Sequence, residues 1–152
     1  MRKIIVLVLS LTFLSVILFG CQSKVNTEMK SELEIKKDNT DLISKSEIKK
    51  ISISKSNGFG KVNPDFFTVF DDEKDLKIVK NVLLSANKEL GSVDMAKPKF
   101  DLEVTYKNKT KQGLHLWLGA KGKRSTLMDI DDTSTIYTVL EEMTDKLIYL
   151  IQ

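Results

Sequence analysis

The chain predicts an α+β domain, a mostly antiparallel four- to five-stranded sheet with two helices packed on one face. Three observations carry this. Apolar and polar residues alternate at period two around Ile51–Ser54, Leu102–Tyr106 and Leu114–Leu118. Two other stretches instead repeat their apolar residues at i, i+3 and i+4. Short polar or glycine-bearing turns separate these runs.

In chain order, Ile51 and Ile53 alternate with Ser52 and Ser54, which reads as a strand turned by Asn57-Gly58-Phe59-Gly60. Phe66 to Phe70 gives a second short strand. Asp71 and Asp72 then supply the carboxylates a helix N-terminus favours, and Leu76, Val79, Leu83, Ala86 and Leu90 form one helical stripe stopped by Gly91. Lys97-Pro98 breaks the chain before a third strand with Leu102, Val104 and Tyr106 on one face. Lys107 to Lys111 turns it into a fourth strand bearing Leu114, Leu116 and Leu118. Matching the apolar faces pairs Tyr106 with Gln112, Val104 with Leu114 and Leu102 with Leu116. Gly119 to Lys123 turns again, and Ser125 to Met128 is a fifth short strand. Thr133 or Ser134 caps a last helix with Ile136, Leu140, Met143, Leu147 and Leu150 along one side.

The N-terminus reads differently. Arg2 and Lys3 precede a sixteen-residue apolar run, Ile4 to Phe19, and Gly20 and Cys21 follow. The run is shorter than the roughly 20 apolar residues of a spanning helix and has the layout of a secretory signal. A small residue before a cysteine fits a bacterial lipobox, although Phe19 is bulkier than usual there; an uncleaved N-terminal anchor is the competing reading. Residues 1–20 are therefore expected to be a lipoprotein signal peptide, with acyl lipid (palmitate among the candidate chains) on Cys21. Two or more chains hold a protein stably to a membrane at about 0.8 kcal/mol per buried CH2. Residues 21–46 read as a flexible linker, whose roughly 25 residues reach about 25–30 Å. Residues 47–152 make the single folded domain. The expected location is the extracytoplasmic face of the cell membrane.

Composition excludes several classes. The chain has 24 Lys and Arg against 21 Asp and Glu; without Arg2 and Lys3 the balance is 22 to 21. A near-neutral chain without a basic stripe is no dedicated nucleic-acid binder. Cys21 is the only cysteine, so a lipidated chain has no disulfide, thiolate nucleophile or cysteine metal site. No cofactor and no metal are expected.

The run Ile53-Ser54-Lys55-Ser56-Asn57-Gly58-Phe59-Gly60-Lys61-Val62-Asn63, together with Val93-Asp94-Met95, His115-Leu116-Trp117-Leu118, Asp132-Thr133 and Thr135-Ile136-Tyr137, resembles the small YhfM-like lipoproteins of Gram-positive, spore-forming bacteria. The resemblance covers the domain and the lipobox. It implies an envelope lipoprotein and carries over no catalytic residue.

The residues themselves offer one candidate face. His115, the only histidine, shares its side of the strand with Gly113 and Trp117, and the expected register sets Glu103 opposite it. With the Phe59 loop, these make a candidate binding face of Phe59, Glu103, His115 and Trp117. One histidine without a second ligand or a nucleophile makes neither a metal site nor a triad. Asp129, Asp131 and Asp132 lack the glycine and terminal glutamate of an EF-hand loop and are read as caps. The leading expectation is a non-enzymatic module binding an envelope protein or small ligand. The alternatives are a small hydrolase using His115 with Glu103, and a structural envelope component.

Overall fold

Alternation builds the sheet of the computed structural model, which describes residues 42–44, 46–90 and 94–151. The strands are β1 (Ile48–Lys55), β2 (Phe66–Phe70), β3 (Asn87–Leu90), β4 (Phe100–Tyr106), β5 (Lys111–Trp117), β6 (Ser125–Asp129) and β7 (Thr135–Val139). Helix α1 (Glu73–Ser85) lies between β2 and β3 in sequence, and α2 (Glu141–Ile151) follows β7. The strands form one seven-stranded sheet in the order β2-β1-β4-β5-β6-β7-β3, antiparallel at every pairing.

Pleating sorts the side chains onto two faces. Ile51 and Ile53 of β1, Leu102 and Val104 of β4, Leu114 and Leu116 of β5, Leu127 of β6, and Tyr137 and Val139 of β7 all point to one side and are buried. Val79, Val82 and Leu83 of α1 and Leu147 of α2 join the same apolar cluster. Asp72 caps α1, its side chain accepting the Asp75 N–H at 3.0 Å, and Glu73 and Asp75 sit in the first turn where carboxylates are favoured. Leu42 and Ile43, which the sequence reading assigns to the linker, are buried in this core; Gln112 Nε2 donates to the Leu42 carbonyl at 2.7 Å.

The expected four- to five-stranded sheet is corrected to seven strands. Two helical stripes each contained a strand. The first helix ends at Ser85, Ala86 is extended, and Asn87–Leu90 pairs with Thr135–Thr138 of β7. The stripe expected from Ile136 to Leu150 is a strand followed by a helix. Thr135-Ile136-Tyr137-Thr138-Val139 is rich in β-branched and aromatic residues, which fit a pleated surface. Tyr137 and Val139 reach the core, whereas Leu140 is 41% exposed, so the Ile136–Leu140 spacing was not a shared face.

The expected β4–β5 register is corrected as well. Tyr106 N–H donates to the Thr110 carbonyl at 3.0 Å and Lys109 N–H to the Tyr106 carbonyl at 2.9 Å, with Lys109 at φ 72°. This turn is tighter than a Lys107–Lys111 connection. It slides the strands by two residues, so Val104 meets Gln112 and Leu102 meets Leu114.

Candidate functional site

The second face of β1, β4 and β5 is polar and nonetheless covered. It presents Ser52 and Ser54 from β1, Asp101, Glu103 and Thr105 from β4, and Gly113, His115 and Trp117 from β5. Asp101, not Glu103, stands opposite His115. Asp101 Oδ1 lies 2.8 Å from His115 Nδ1, with Asp101 0% and His115 1% exposed. Glu103 stands opposite Gly113 and pairs with Lys111 Nζ at 2.9 Å. The sequence reading placed the carboxylate correctly by face and wrongly by residue.

What covers the pair is the β1–β2 connection, residues 56–65, folded back as a lid. Gly60 N–H donates to His115 Nε2 at 3.3 Å, and Asn63 N–H donates to Asp101 Oδ2 at 2.9 Å. Ser54 Oγ donates to the Asn63 carbonyl at 2.7 Å, and Asn63 Nδ2 to the Lys55 carbonyl at 2.8 Å. Gly58 and Gly60 adopt φ of 125° and 103°, a region that side chains with a Cβ rarely enter, which explains the Gly-Phe-Gly pattern.

Gly113 completes the seat. A Cβ there would lie 2.8 Å from Val62 Cγ2 and 2.7 Å from Ile130 Cδ1, so its absence lets both side chains settle onto the sheet. The Phe59 ring meets His115 edge-on at 5.7 Å between centroids and Trp117 at 6.0 Å, yet Phe59 remains 53% exposed. Trp117 is half-buried and anchored by Nε1–H donating to the Ala96 carbonyl at 2.7 Å. Ser52 Oγ and Thr105 Oγ1, on the same face, are buried without a hydrogen-bond partner among the described residues.

These bonds assign the protons. A backbone N–H on Nε2 makes that nitrogen the acceptor, so neutral His115 carries its proton on Nδ1 and donates it to Asp101. Asp101 accepts two N–H groups, one on each oxygen. The same orientation serves general bases, with Nε2 aimed at a reacting proton. Here Nε2 is occupied by Gly60, and among the described residues no hydroxyl is bonded to either ring nitrogen.

Of the candidate residues, Phe59, His115 and Trp117 come together, Glu103 sits one pair away, and Cys21 lies outside the described residues. Asp101, Asn63 and Val62 were missed as site residues. Their only sequence signals were a glycine within a strand at Gly113 and the paired glycines of the loop. Among the described residues no cluster of His, Cys, Asp and Glu could hold a metal ion, and no helix is long and apolar enough to cross a membrane.

The family model described as YhfM protein matches residues 44–152. A search of curated proteins finds no match. Among solved structures, a thioesterase-like protein from Clostridium sporogenes is similar, with a TM-score of 0.53 and 18% identity over 68% of this chain and 94% of that one. At that identity the likeness concerns the fold.

Proposed function

The chain belongs to the YhfM family, and from its lid-covered polar face we propose that this member is a lipid-anchored, extracytoplasmic binding module, not an enzyme. The observation that carries the reading is the use made of the Asp101–His115 pair. Both groups are buried, and their outward-facing atoms hold the backbone of a loop that displays Phe59 at 53% exposure. A buried ionisable pair adds little net stability. Spending one to fix an exposed aromatic side chain makes sense when that side chain meets a partner, since rigid aromatic anchors dominate binding interfaces. Trp117 beneath Phe59 extends the surface, and lipid on Cys21 would keep the module at the membrane.

The test is site-specific crosslinking in native membranes. A photoreactive amino acid at position 59 should give one discrete adduct, and the same group at Tyr149, which is 86% exposed on α2, should give none. Equal labelling at both positions, or none at 59, would refute the reading. A second reading has its own support: the dyad orientation is that of a general base, in a fold shared with a thioesterase-like protein. It requires the lid to open. Turnover of a short acyl thioester, abolished by His115→Ala, would establish it over the first.

A further inference from the structure

The lid sits on the sheet as a peptide ligand would. Its hold on the face is almost entirely main-chain: the N–H of Gly60 on His115, the N–H of Asn63 on Asp101, and the carbonyl of Asn63 on Ser54. Two lid side chains meet the face: Phe59 packs its ring on His115 and Trp117, and Val62 sits in the slot that Gly113 leaves open. Receptor side chains thus read a backbone, and one pocket reads an apolar, β-branched residue. That is the division of labour in peptide recognition, where main-chain bonds give affinity and a side-chain pocket gives selectivity.

Two further features distinguish a replaceable lid from a fixed turn. A Cβ at Gly58 or Gly60 would meet nothing within 4 Å, so both glycines stand in open space and can serve as hinges. The face also holds more polar capacity than the lid uses, because Ser52 Oγ and Thr105 Oγ1 are buried and have no partner among the described residues. A strand longer than the lid would bring donors and acceptors to both hydroxyls.

We propose that the Asp101–His115–Gly113 face is a peptide-binding site held shut in cis by residues 56–65. Its ligand is a segment of an envelope protein with the lid's own pattern, Phe-Gly-X-Val-X, bent at the glycine as the lid is. The glycine N–H meets His115, the Val or Ile fills the Gly113 slot, and the following residue bonds Asp101 and Ser54. The exposed Phe59 is the part of the lid that a partner meets first. This rests on the binding-module reading and names its ligand class.

The probe is a fluorescein-labelled, end-blocked peptide with the sequence of residues 57–64, added to the full-length chain in detergent micelles. In Val62→Asp a half-buried charge in the Gly113 slot expels the cis lid. By fluorescence anisotropy this variant should bind the probe at least about ten-fold more tightly than the unmodified chain, whose site is already filled. Adding Gly113→Val should abolish that gain, and a probe carrying Asp in place of its Val should not bind. Equal affinity for both chains, or equal binding of both probes, overturns the proposal. If Val62→Asp does not fold, amide exchange in the unmodified chain decides: excess probe must accelerate exchange at Gly60 and Asn63, and unchanged rates overturn it. A position-59 adduct that persists while the probe fails would remove the lid proposal and leave the binding-module reading standing. Loss of both would remove both.

Discussion

Asp101→Asn tests the polar logic of the site with one atom. The carboxylate accepts from His115 Nδ1–H at 2.8 Å and from Asn63 N–H at 2.9 Å. An amide has one acceptor oxygen. If that oxygen stays on His115, the new NH2 faces the Asn63 N–H. If it turns to Asn63, the NH2 faces His115, which must move its proton to Nε2 and then points N–H at the N–H of Gly60. Either way two donors oppose each other and the lid loses one of its three main-chain anchors. An unsatisfied buried donor costs about 1–3 kcal/mol. In a domain of this size each kcal/mol lowers Tm by about 4–8 °C. Urea unfolding gives the stability. Native-state hydrogen exchange locates it, since Gly60 or Asn63 must lose protection before the core strands do. Trp117, the only tryptophan, reports lid release through its contact with Phe59. A stability change below about 0.5 kcal/mol with unchanged protection at Gly60 and Asn63 would sink the argument, because that is the range of an ordinary surface substitution.

Four other expectations are open to direct measurement. Gly119→Ala would set a Cβ 2.2 Å from the Arg124 carbonyl oxygen and strain the Gly119 N–H bond to Ser125 Oγ; a loss of about 1–3 kcal/mol in denaturant unfolding is expected, and a neutral result contradicts the turn geometry. Burial, helped by the Asp129 carboxylate, raises the Tyr106 hydroxyl above the ordinary tyrosine range despite the Ser44 N–H bond, which works the other way. The folded value is the higher one, so the contribution is complete below the unfolded value of about 10 and lost as pH rises through the folded value; Tyr106→Phe should remove a step above the ordinary tyrosine range from the alkaline absorbance titration. Phe59→Ala should cost less than about 1.5 kcal/mol in a thermal melt, the scale of an aromatic contact, while abolishing partner crosslinking from neighbouring positions. Cys21→Ser should release the protein from the membrane and stop incorporation of labelled palmitate; retention with undiminished label would overturn the lipobox reading.

The candidate site depends on a covered face more than on its catalytic-looking pair. Ser52, Ser54, Asp101 and His115 are all buried, on the side of the sheet away from the apolar cluster. Their hydrogen bonds are met largely by loop backbone, with Ser52 the exception. A loop that meets them becomes part of the domain's stability, and its departure leaves a ready-made set of donors and acceptors. This is why one loop serves both as cover and as display for Phe59.

Much of the architecture was legible in local pattern. The inward residues Ile51, Ile53, Leu102, Val104, Leu114 and Leu116 were assigned to strands from alternation alone, and all are buried. So was the start of α1, where Asp72 acts as cap. The two strands at one edge of the sheet, β7 and β3, were not legible. Asn87–Leu90 continues a helical stripe in the sequence, and only pairing with β7 makes it extended. The identity of the carboxylate opposite His115 was also hidden, for a geometric reason. Side chains alternate with period two, so registers that differ by two residues bury the same face and satisfy the same pattern. The turn with Lys109 at positive φ decides between them, and it selects Asp101 over Glu103. By itself the sequence determined which residues of β1, β4 and β5 face the core. The tertiary structure decided which polar groups meet and that residues 56–65 cover them, because a lid's contacts join residues 38 and 55 positions apart and leave no periodic trace.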